Sequence, residues 1–278
     1  MVETFGTRLF ERIRALGPLC VGIDPGAALM AEWHRPDSID GLEFCSLAVL
    51  EAVLGTAAAI KPQVAHFERF GAAGYRVLER VMADARDADV LIVADAKRGD
   101  IDVTNESYAE AWLADRSPLV ADALTVHPYL GVRALAPLFA RATQTGRGVF
   151  VVAATSNAEG RVLQTARTAH DEPVEELVLR EVAEINARVD ARGAVGIVLG
   201  ATRDRPHFDL SMLGGPLLVP GVGAQGATPD NVARLFERCA PGSVLVNVGR
   251  AITSGGPERA ALRDAARRWR DDLSAALA

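Results

Sequence analysis

The chain has 278 residues, 49% hydrophobic and 24% charged, with a formal net charge of -6. That supplies apolar material for a large core and excludes intrinsic disorder; the negative balance gives no general attraction to nucleic acid or to an anionic membrane, so any anion site must be local. Three cysteines, Cys20, Cys45 and Cys239, show neither paired nor ligand-like spacing and read as inert thiols of a reducing compartment. With no apolar leader at the N-terminus and no segment of membrane-spanning length, a cytoplasmic protein is expected.

Phe5, Leu9, Ile13 and Leu16 recur at helical spacing among charged residues and predict an amphipathic helix that covers the sheet ahead of the first strand. Short apolar runs then follow, each ending in polar or turn-forming residues: 19–23 before Asp24, 57–60 before Lys61, 90–94 before Asp95 and Lys97, and 123–126 before His127. The series continues with 148–154 before Thr155, Ser156 and Asn157, 195–199 before Gly200, 216–219 before Pro220 and Gly221, and 244–248 before Gly249 and Arg250. Between these eight predicted strands, residues 42–56, 75–87, 105–116, 132–145, 174–192, 230–239 and 257–273 are predicted helices, while the interval after Thr202 is short. Alternating apolar strands and helices predict an α/β fold, a (β/α)8 TIM barrel with an N-terminal helix, its functional residues at the carboxyl ends of the strands. The alternative is an open doubly wound sheet, whose strand ends would line a crevice. No Pro-, Gly- or Ser-rich linker divides the chain, so one domain over 1–278 is expected.

Residues 90–101 read VLIVADAKRGDI. In extended chain Asp95 and Lys97 share one face, and Arg98 and Asp100 follow, giving four charges in six residues after a buried strand. Such charges need a partner or a task. Lys61, Asp95, Lys97 and Asp100 can alternate in sign as a network fixed in orientation, the form electrostatic catalysis requires; the alternative is a structural ion-pair network closing the barrel mouth.

An anion site is predicted where Pro220, Gly221 and the glycines up to Gly226 follow the seventh strand and Thr228, Pro229 and Asp230 open a helix. Arg250, after Gly249 on the eighth strand, can meet the same anion with a bidentate fork. His127 has no second ligand at metal-binding spacing and His34, His66, His170 and His207 are scattered, so no metal site is predicted. The sequence contains no P-loop, nucleophile elbow or dinucleotide fingerprint.

The run Asp95-Ala-Lys97-Arg-Gly-Asp100-Ile101 resembles the D-x-K-x-x-D signature of the orotidine 5'-phosphate decarboxylase family, in the form of its longer, mycobacterial-like (type 2) bacterial branch. The resemblance covers nearly the whole predicted barrel. It implies cofactor-free and metal-free decarboxylation of orotidine 5'-monophosphate to UMP, the last step of de novo UMP biosynthesis. In that family Lys97 would stabilise a carbanion at C6 and protonate it, held by Asp95 and Asp100 beside Lys61. Asp24 would hold the ribose, Ser156 would read the pyrimidine, the run from Pro220 to Gln225 would form the phosphate loop with Gln225 touching base and phosphate, and Gly249 and Arg250 would bind the phosphate. The resemblance also implies a homodimer in which Asp100, Ile101 and Thr104 complete the neighbouring active site.

Three other readings compete. Sugar-phosphate enzymes of the same superfamily share the signature but use magnesium. A Schiff-base aldolase would use Lys61 or Lys97, although paired carboxylates favour a protonated, non-nucleophilic lysine. A silent nucleotide-binding module is opposed by the presence of all four charged residues.

Overall fold

Eight parallel strands close in chain order into a barrel in the computed structural model, which describes residues 2–188 and 192–278. They are β1 (Leu19–Ile23), β2 (Ala59–Pro62), β3 (Leu91–Arg98), β4 (Ala123–Val126), β5 (Gly148–Ala154), β6 (Val195–Leu199), β7 (Leu217–Val219) and β8 (Val244–Val248). β1 pairs with both β2 and β8, so the sheet has no edge and the open alternative is excluded.

The runs are apolar because both faces of each strand are dry. Alternate residues such as Val21, Ile92, Leu124, Val151 and Ile197 pack against the helical layer. Their neighbours Cys20, Leu91, Val93, Ala123, Phe150, Val152, Val198, Leu218 and Leu245 fill the barrel interior.

The N-terminal helix, Phe5–Leu16, belongs to the interior cluster and plugs the barrel, a more specific task than covering the sheet. Phe5 is fully buried and meets the Phe150 ring edge-on, centroids 5.8 Å apart. The Thr4 hydroxyl donates to the Arg192 carbonyl at 2.7 Å and Arg8 pairs with Asp122 at 2.7 Å, which anchors the helix at the amino ends of β4 and β6.

Helices Ile39–Val53, Gly71–Asp87, Asp102–Leu113, Pro229–Phe236 and Arg259–Ala276 stand within about a turn of the predicted ones. The helix expected over 132–145 opens as a 3-10 turn, Val132–Leu135, before Ala136–Thr145. The one expected over 174–192 is Val174–Asn186, and residues 189–191 of that expectation lie outside the described residues. Among the described residues the short interval after β6 holds only the 3-10 turn Leu210–Leu213. The Glu176 carboxylate secures that interval, accepting the backbone N–H groups of His207 at 2.6 Å and Phe208 at 2.7 Å.

β2 and β3 run beyond their apolar stretches, to Pro62 and Arg98. Hydrophobicity ends where charged side chains begin, but backbone pairing continues, so Lys61 and Asp95 stand within the sheet. The extension brings both into the barrel mouth.

Candidate active site

β3 is irregular at the functional residues. Ala94 pairs with Leu124 and Arg98 with Val126, so four steps on β3 span two on β4, a bulge. Lys97 adopts φ +47°, the left-handed region that L residues rarely enter. The Thr125 hydroxyl fills the gap: it accepts the Lys97 backbone N–H at 3.0 Å and donates to Asp95 Oδ1 at 2.9 Å. Asp95 and Lys97 thus share a side through a bulge and a left-handed residue, whereas the two-residue spacing predicts it from extended chain. Gly99 is required by the same turn, because a Cβ there would lie 2.5 Å from the His127 carbonyl oxygen.

One carboxylate serves two ammonium groups. Lys61 Nζ donates to Asp95 Oδ2 at 2.5 Å and Lys97 Nζ to Asp95 Oδ1 at 2.5 Å, with Gln63 Nε2 adding a longer contact to Oδ2 at 3.3 Å. Lys61 and Asp95 are 6% and 9% exposed and Lys97 is 41% exposed. Burial by itself would lower the Lys61 pKa, but the carboxylates of Asp95 and Asp24 outweigh it and hold the ammonium above the usual lysine range. Burial likewise opposes ionisation of Asp95, and Lys61 and Lys97 reverse that, holding its pKa well below the usual carboxylate range. The buried Lys61–Asp95 pair is therefore charged throughout the neutral range. An ammonium has three donors, and Asp95 takes one from Lys97.

These groups line a cavity of about 680 Å³ at the carboxyl ends of the strands. Asp24, Ser156, Pro220, Gln225, Gly249 and Arg250 line it too. Asp24 Oδ1 is buried with no hydrogen-bond partner among the described residues. In the loop after β7, Gly221 and Gly223 take φ +97° and +76°, and Thr228 caps helix Pro229–Phe236 with a reciprocal bond to Asn231. Gly221 packs close to the Ser156 hydroxyl, so the loops after β5 and β7 meet over the cavity. Arg250 opens the one-turn helix Arg250–Thr253 and its side chain is exposed at the rim.

Asp100, Ile101 and Thr104 do not line this chain's cavity. The Asp100 carboxylate accepts the Ile101 N–H at 2.9 Å, the Asp100 N–H donates to Asn105 Oδ1 at 3.0 Å, and Ile101 is 52% exposed.

Gln63, His66, Thr125 and Asn247 also line the cavity and were not singled out by the sequence reading. Period-2 alternation was the available signal: Gln63 is two beyond Lys61, Thr125 is the polar residue of 123–126, and Asn247 that of 244–248. His66 carried no such signal. Burial holds its imidazole below the ordinary histidine pKa, with the Asp24 carboxylate opposing that shift.

Residues 17–265 match the family described as Orotidine 5'-phosphate decarboxylase / HUMPS family. The chain is 47% identical over 276 residues to the orotidine 5'-phosphate decarboxylase of Salinispora arenicola, covering 99% of each chain. It is 46% identical over 277 residues to that of Streptomyces coelicolor, again covering 99% of each. A crystal structure from Streptomyces avermitilis superposes with TM-score 0.94 at 46% identity, over 99% of this chain and 96% of that one. Leishmania donovani OMP decarboxylase gives TM-score 0.74 at 30% identity, over 98% of both chains.

Proposed function

The chain belongs to the orotidine 5'-phosphate decarboxylase / HUMPS family, and on that premise we propose how its residues carry the reaction, the decarboxylation of orotidine 5'-monophosphate to UMP in pyrimidine biosynthesis. The observation that carries the reading is the pair of ammonium groups held on one buried carboxylate at the cavity wall. Cleavage of the bond between C6 and the substrate carboxylate releases carbon dioxide and leaves the electron pair on C6. Lys97 meets that charge as a fixed cation, then transfers a proton to C6; UMP forms, and the neutral amine regains a proton from solvent. Lys61 keeps Asp95 ionised and in place, and Asp95 orients Lys97 together with Asp100 of the partner subunit. Asp24 accepts from the ribose hydroxyls, Ser156 reads the pyrimidine, and Pro220, Gln225, Gly249 and Arg250 bind base and phosphate.

In this reading the whole chain is one domain and the enzyme acts in the cytoplasm, a setting its three free thiols support. Incubation with orotidine 5'-monophosphate, followed by the change in pyrimidine absorbance, yields UMP at an unchanged rate in EDTA. Absence of UMP would overturn the reading, and loss of turnover in EDTA would favour the magnesium-dependent branch of the family.

The active unit is a homodimer in which Asp100, Ile101 and Thr104 complete the neighbouring site. Support comes from these residues standing outside the lining of their own cavity and from the exposed apolar side chains Ile101, Val103, Tyr129 and Leu130. These lie on the segments after β3 and β4, joined by Asn105 donating to the Ala134 carbonyl at 2.7 Å. Lys97→Ala and Asp100→Ala are each inactive, but random co-assembly restores roughly a quarter of wild-type activity, since half the dimers are mixed and each holds one intact site. Activity no greater than the sum of the two single variants would exclude a shared site.

A further inference from the structure

The loop after β1 is anchored more firmly than a connection requires. Arg35 lies over the Phe44 ring at 3.6 Å, Asp37 pairs with Arg69, and Ser38 caps helix Ile39–Val53. Within this frame helix Ala27–Glu32 ends at Trp33, which is 2% exposed. Its indole Nε1–H donates to the Thr253 carbonyl at 3.0 Å, a buried bond joining the first loop to the last residue of the helix that Arg250 begins.

The Arg250–Thr253 helix needs such a support. One turn is too short to be stable alone, and its own hydrogen bonds stay within residues 249–256. Ile252 is its buried apolar contact, and Ala251 lies against Gly223 of the glycine loop. Among the described residues, Trp33 supplies the one side-chain hydrogen bond this helix receives.

We propose that Trp33 is a positioning residue for the phosphate end of the cavity: its indole N–H fixes the Arg250–Thr253 helix so that the Arg250 guanidinium stands ready for the substrate phosphate. The proposal rests on the reading of Arg250 as a phosphate ligand. Thr253, like Ala28 and Leu29 of the first loop, lines the same cavity, so the contact joins two walls at that end. Without it the helix samples more orientations, and ordering Arg250 on each binding event offsets part of the phosphate's contribution. The pyrimidine end, built on β2, β3 and β4, is untouched.

The test uses the full-length enzyme with Trp33→Phe, which keeps an aromatic ring and removes the N–H. A second variant places benzothienylalanine at position 33, keeping the bicyclic shape and losing only the donor. Values of kcat/KM are measured for orotidine 5'-monophosphate and for orotidine, which lacks the phosphate. Both variants lose roughly five- to tenfold on the phosphorylated substrate, mostly in KM, and stay within about twofold on orotidine. Equal losses on the two substrates would show a merely structural role and overturn the proposal, as would no loss on the phosphorylated substrate in either variant. Arg250→Ala separates the premise from the inference: if it leaves kcat/KM for the phosphorylated substrate unchanged, the phosphate reading falls. If it lowers that value while the Trp33 variants do not, only the Trp33 proposal falls.

Discussion

On the proposed mechanism Lys97→Ala abolishes measurable turnover, lowering kcat by at least about 10^4-fold, because one ammonium would supply both the charge that meets the carbanion and the proton that quenches it. Binding of UMP survives, since the groups assigned to ribose and phosphate stand after β1, after β7 and after β8. The fold survives as well. Lys97 is 41% exposed, and without it Asp95 keeps its buried bonds to Lys61 and Thr125. Alanine inherits the same φ of +47° and adds no new backbone strain. Single-turnover assays with the variant, beside calorimetric titration with UMP, check both halves; retained turnover would remove Lys97 from the mechanism.

Asp95→Asn acts on stability as strongly as on chemistry. The substitution leaves Lys61, 6% exposed, with its ammonium facing an amide where a carboxylate had been. Removing one partner of a buried charge pair costs about 3–5 kcal/mol, which for a chain of this size lowers Tm by roughly 10 °C. The difference from wild type follows pH with a fixed sign. Asp95 has a depressed folded pKa, so its contribution is complete above the unfolded value of about 4 and declines as acid approaches the folded value. Lys61 has a raised folded pKa, so its contribution is complete below the unfolded value of about 10.4 and is lost as pH rises through the folded one. Melting curves of both proteins therefore differ by a constant amount between about pH 5 and 10, and the gap narrows in acid. A variant less than about 1 kcal/mol weaker at pH 7 would show that the trio contributes little to folding.

The barrel was legible because its strands are largely dry on both faces, which writes them as mainly apolar runs ending at polar or turn-forming residues on one rim. The same rule singles out Asp24, Lys61, Asp95 and Lys97, which line one cavity. It failed where the determinant is backbone geometry. Nothing in residues 94–98 announces the bulge or the left-handed Lys97, both of which depend on Thr125 from the next strand. The Phe5–Leu16 helix showed its amphipathic stripe, but whether that stripe lies on the sheet or inside the barrel follows from Gly148, which leaves room for the Phe5 ring. His66 reaches the cavity from a five-residue helix, Val64–Glu68, too short to leave a periodic trace. Trp33 was invisible for a related reason: its partner is a backbone carbonyl 220 residues away, and sequence does not mark acceptors of that kind.

Phe5 and Leu9, seated across the amino-terminal opening, make the reaction chamber a blind well. The cavity opens on the opposite side, at the loop-framed rim. On the proposed reaction, a nucleotide seated at that rim would itself screen the nascent carbanion from bulk water.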